Sequence, residues 1–84
     1  MTLEKAIEKV LGVRMSDMRG SGRTKDVLRA RVIFCRLSGC STAENARRLG
    51  KAYTTICYYN DVYYLWTSDN PEFVDMLDRV RELL

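Results

Sequence analysis

The stretch "STAENARRLGKAYTTI", residues 41–56, decides how the rest of the chain is read. Its first four residues form a capping-box pattern. Ser41 can accept a hydrogen bond from the amide of Glu44, whose carboxylate can reach back to the start of the helix. Ala43, Ala46 and Leu49 then recur at helical spacing as the inward face, and Gly50 is a natural stop because it tolerates a left-handed backbone. After "KAY", Thr54 or Thr55 opens a longer helix. A short capped helix, a turn of three or four residues and a longer helix make the layout of a helix-turn-helix, although an ordinary helical hairpin looks the same.

Working forward, "TTICYYNDVYYLW", residues 54–66, holds five of the eight aromatic rings. Steps of 100° from Thr54 bring Ile56, Tyr59, Val62, Tyr63 and Trp66 into one arc, with Tyr58 and Leu65 on its flanks. Cys57, Asn60, Asp61 and Tyr64 fall outside it. Most of these rings are therefore expected in the core. A base-stacking platform would carry interleaved basic residues, and this run contains none. Asn70-Pro71 starts a last helix, with Pro at its first position and Phe73, Leu77, Val80 and Leu84 as the buried stripe.

Working backward, Gly39 and Ser38 end a long helix whose inner stripe is Val27, Ala30, Phe34 and Leu37. Gly20, Ser21 and Gly22 precede it, and "GVRMSDMRG" before them reads as a short helical turn. A first helix, capped by Thr2 and Gly12, carries Leu3, Ala6, Ile7, Val10 and Leu11 on one face. The prediction is an all-α single domain, a small bundle of about five or six helices.

Composition narrows the function classes. Eighty-four residues support one small core. No apolar run reaches the roughly 20 residues of a membrane span, and "MTLEKAIEKVLG" has no signal-peptide core, so a cytoplasmic protein is expected. Cys35, Cys40 and Cys57 are unsuited to zinc without any histidine, and are read as small half-apolar side chains. The charge is unevenly placed. Residues 19–58 carry nine basic side chains against Asp26 and Glu44, a net +7, whereas residues 59–84 carry a net −4. A basic middle suits a polyanion. Catalysis is not expected: no histidine, no convergent acidic pair and no Gly-rich phosphate loop is found, and no cofactor or metal is implied.

At "KAYTTI" the chain resembles the C-terminal DNA-binding domain, domain IV, of the bacterial replication initiator DnaA. That family's signature reads approximately S-L-x-E-I-G-x-x-F-G-R-D-H-T-T-V. Ser41, Glu44, Leu49, Gly50, Thr54, Thr55 and Ile56 match it without a gap, and Lys51 takes the place of its arginine. "GRTKDVLRAR" is similar to the family's basic S-R-x-R-x-x-V-x-x-A-R segment through Arg23, Lys25, Ala30 and Arg31. "GVRMSDMRG" and "SDNPEF" resemble its lead-in and the approach to its final helix. The likeness covers most of the chain, in the family's order.

Two departures stand out. The stretch from Arg31 to Ser41 is about four residues shorter than in the family, roughly one helical turn. Counting back from Ser41 instead places Val27 where Arg31 would stand. The Asp-His pair of the signature is Ala52-Tyr53 here.

The resemblance implies a Trp-repressor-like fold that binds double-stranded DNA, with the helix from about residue 54 in the major groove. Ala52 cannot accept from a base as Asp can, so altered or reduced specificity is expected. Thr54, Thr55, Lys51 and Ser41 would hold phosphate, Tyr53 and Tyr58 could face DNA, and Arg31 would match the family's minor-groove arginine. Arg23, Lys25, Arg47 and Arg48 would contact the backbone. Since the chain lacks GxxxxGK[ST], ATP chemistry would fall to a partner ATPase or a longer parent chain. The competing expectation is a protein-interaction or structural domain that keeps the fold without DNA readout.

Overall fold

A computed structural model describes all 84 residues and contains six helices. They are α1 (Leu3–Leu11), α2 (Met15–Arg19), α3 (Lys25–Leu37), α4 (Thr42–Leu49), α5 (Tyr53–Asp69) and α6 (Pro71–Glu82), with no strand. None is long and apolar enough to cross a membrane.

Local chemistry sets the boundaries. Thr2 accepts from the Lys5 amide at 3.3 Å, and Gly12 closes α1 with φ of +72°. Thr24 caps α3 by accepting from Val27 N, and Asn70 Oδ1 accepts from Phe73 N at 3.1 Å above Pro71. Gly50, at φ +63°, ends α4, a conformation that costs a side chain little only when there is none. The capping box on α4 is half formed. Ser41 Oγ accepts from Glu44 N at 3.2 Å, but the Glu44 carboxylate pairs with Arg47 instead of turning back.

Helix α3 is the axis of the bundle. It packs against α1, α2 and α5, and its residues 29–35 are all buried. The expected stripe was narrower. Ala30 and Phe34 lie in the core, Val27 and Leu37 only line its edge, and Val32, Ile33 and Cys35 are buried as well. A helix covered on three sides loses its single-face signature.

Burial on α5 follows the arc read from its sequence. Ile56, Tyr59, Val62 and Tyr63 are buried, Trp66 is half-buried, and Cys57, Tyr58, Asp61, Tyr64 and Leu65 are exposed. Phe73 of α6 meets Tyr63 and Trp66 edge-on, with ring centroids 6.4 and 5.2 Å away. Two apolar expectations are corrected. Ala43 faces solvent, and Leu84 lies past the end of α6, 55% exposed. Asn45 occupies the inward position on α4. Its amide donates to Cys35 O at 3.2 Å and its carbonyl accepts from Ser38 Oγ at 2.8 Å, so both of its polar ends are satisfied.

The molecule measures 27 × 26 × 24 Å. The 17 residues of α5 make a rod of about 25 Å, so one helix runs the width of the fold.

Candidate nucleic-acid interface

Helix α4, the turn 50–52 and α5 form the paired unit expected for residues 41–66, with α4 packed on the side of α5. Gly50 N and Lys51 N return to Arg47 O and Ala46 O, which finishes α4 and swings the chain into α5. The first residue of α5 is Tyr53, so Thr54 and Thr55 stand inside its first turn.

That first turn is unusual within this fold. The other helices of eight residues or more begin under a Thr, Ser or Asn side chain, but the residue before α5 is Ala52, which has nothing to offer. Only Thr55 N and Ile56 N find an acceptor, both at Ala52 O, and the amides of Tyr53 and Thr54 have no partner in the protein. Unpaired amides and the positive end of the macrodipole favour an anion here.

The first turn opens on a cleft of about 650 Å³. Thr54, Thr55, Tyr58 and Tyr59 of α5 form one side, Ser21 and Arg23 of the loop after α2 another, and Leu28, Arg31 and Lys51 the floor. Three cations line it and no carboxylate does. Arg19 adds a fourth positive charge nearby while donating to Arg48 O.

The floor is rigidly built. Arg31 is only 3% exposed; its Nε donates to Met18 O at 2.9 Å and its Nη2 to Gly20 O at 2.7 Å. Lys51 Nζ donates to Gly20 O and, at 3.5 Å, to Arg19 O. Two cations thus cap the carbonyl end of α2, where the dipole favours them. Partial burial, and then the charges of Arg31, Arg23 and Arg19, lower the proton affinity of Lys51 below the usual lysine value. These like charges face one another with no counter-ion from the protein, and an incoming anion would relieve the repulsion.

The expected site residues divide into two groups. Arg23, Arg31, Lys51, Thr54, Thr55 and Tyr58 meet at the cleft, and Tyr53 stands exposed at the tip of α5. Arg31, expected at a minor groove, is buried and held by two carbonyls. Arg48, expected at the backbone, pairs with Glu4 at 2.8 Å and lies over the Phe34 ring at 4.8 Å. It fastens α4 to α1 and α3. Arg47 is exposed but paired with Glu44. Ser41 spends its hydroxyl as a cap, away from the cleft, and Lys25 is exposed at the start of α3 outside it. Ser21, Leu28 and Tyr59 also line the cleft but were not among the expected site residues, Tyr59 having been read as core. The "GSGR" loop was the signal available for Ser21.

A second hollow, of about 290 Å³, lies between the end of α3, α4 and α5. Arg36 borders it, 4.6 Å from the centroid of the Tyr63 ring and donating to Tyr64 Oη at 3.3 Å. Cys35 is buried beside it, and burial pushes its thiol up to about 12.

No protein-family description, curated protein or solved structure matches the chain.

Proposed function

We propose that this chain is a DNA-binding helix-turn-helix domain of the DnaA domain IV kind, which presents α5, N-terminus first, to the major groove of double-stranded DNA. One observation carries the reading: the only long helix without a side-chain cap begins in a cleft lined by Arg23, Arg31 and Lys51 and by no acid. A backbone phosphate seated there would receive the Tyr53 and Thr54 amides and the two threonine hydroxyls.

With its first turn on phosphate, α5 would turn Tyr53, Cys57, Tyr58 and Asp61 toward base edges, since these residues are exposed on one face. Asp61, about 12 Å along the axis from Tyr53, is the one carboxylate on that face and could accept from a cytosine amino group. The base set differs from that expected of the family's Asp-His pair, so the proposal includes an altered specificity.

The test is the affinity for a mixed-sequence duplex, followed by fluorescence anisotropy as salt is raised. If the cleft seats one or two phosphates, log Kd should rise with log salt with a slope of about 1 to 2. Affinity independent of salt would overturn the proposal.

A second reading has one observation in its favour. Tyr64 and Leu65, on the far half of α5, are 60% and 58% exposed. A protein-interaction domain would use them, and would be recognised as a stable dimer that ignores DNA even at low salt.

A further inference from the structure

A phosphate alone does not fill the cleft. Its volume of about 650 Å³ falls within the usual range for small-molecule sites, and its lining is both cationic and aromatic. Arg23, Arg31 and Lys51 line it beside Thr54 and Thr55 of the first turn of α5. One helical turn along, about 5.4 Å, stands Tyr58, whose ring lines the cleft and is 61% exposed. Along the sequence no basic residue accompanies the aromatic run; the fold brings the basic residues to it from α3 and from two turns.

Arg31 supplies an independent pointer to a ligand. Its Nε and Nη2 are bound to carbonyls, but Nη1 has no partner within the protein. No fully buried side-chain nitrogen or oxygen lacks a partner, so Nη1 keeps some exposure, and Arg31 is one of the residues that line the cleft. A buried, anchored guanidinium in the lining of a cavity is a pre-organised donor for an oxyanion.

The geometry points to a seat for a single nucleotide unit, its phosphate on Arg31, Lys51 and the α5 amides and its base stacked on Tyr58. The inference rests on reading the cleft as a nucleic-acid surface. It goes further in giving the cleft a base-binding wall that a duplex lying across α5 would not need. The nucleotide can come from a free nucleoside diphosphate or from an unpaired strand. Stacking tolerates any base, since each has a π face, so little base preference is expected.

The experiment titrates the 84-residue protein, by nuclear magnetic resonance, with pyrophosphate, with ADP and with a four-base single-stranded DNA. ADP or the strand should bind about tenfold more tightly than pyrophosphate, the gain that one stacked base contributes. Tyr58→Ala should remove that gain and leave pyrophosphate binding unchanged, whereas Tyr58→Phe should keep it. Tyr58 is exposed, so neither variant threatens the fold. Whichever of ADP and the strand binds more tightly names the source. The inference is overturned if neither exceeds pyrophosphate, or if Tyr58→Ala weakens all three equally. Salt-dependent duplex binding in that event leaves the major-groove reading standing. Nucleotide binding without duplex binding removes that reading and keeps the seat.

Discussion

Arg31 and Arg48 are two arginines that sequence spacing cannot tell apart from surface charge. Both are held by the protein itself, Arg31 by the carbonyls of Met18 and Gly20 and Arg48 by Glu4 and the face of Phe34. Asn45 and Arg29 are further polar residues turned inward, and Arg48 is half-buried. Pattern reading assigns polar residues to the outside, and it fails where a polar group meets its hydrogen-bond requirement in the interior. Thr54 and Thr55, by contrast, were legible as the start of α5. Replacing both with valine keeps their shape and removes two hydroxyls from the cleft. Duplex affinity should fall about tenfold, a loss of one or two modest hydrogen bonds. Arg47→Ala should have an effect several times smaller, because that guanidinium pairs with Glu44 outside the cleft. Titration of each variant against one labelled duplex compares them, and equal losses would mean that the cleft is not the binding surface.

At the scale of elements, the helical layout and several of its caps could be read from Thr2, Gly12, Ser41, Gly50 and Asn70-Pro71, whereas Thr24 at the start of α3 was missed. These signals are local, and each names a backbone group that its residue satisfies. The packing of α3 was less legible, because its environment depends on partners distant in sequence. Gly50 is where element and site meet, since its left-handed backbone aims α5 at the cleft. Gly50→Ala should cost about 1 kcal/mol in chemical denaturation. Ser41→Ala should cost a similar amount through the lost cap but leave DNA affinity nearly unchanged, as Ser41 stands away from the cleft. Equal loss of binding from both substitutions would place Ser41 at the interface after all.

Across the whole molecule, positive charge gathers at one end of α5, whereas the chain beyond residue 58 is acidic. The acidic segment would keep the rest of the surface off a polyanion and so orient the domain on DNA. The polarity was legible in outline as a +7 segment. The cleft was not, because Arg23, Arg31 and Lys51 come together only when α3 and the turn after α4 converge. Proton equilibria add a global test. The buried Cys35 thiol is raised from 9.0 to about 12, so the native state holds its proton more firmly than the unfolded chain does. That contribution is complete below about 9 and is lost as pH rises toward 12. Thermal melts should show stability declining across this interval, with a shallower decline in Cys35→Ala. Identical slopes would mean that the thiol is not held protonated.

The most direct measurement concerns Arg23, an exposed cation of the loop after α2 that lines the cleft at the start of α5. Arg23→Glu reverses that charge on the surface, away from the core, and should leave the thermal stability nearly unchanged. Duplex affinity, measured by anisotropy at fixed ionic strength, should drop about tenfold or more as a phosphate contact is replaced by repulsion. A folded variant that still binds DNA as tightly as the parent would contradict the account.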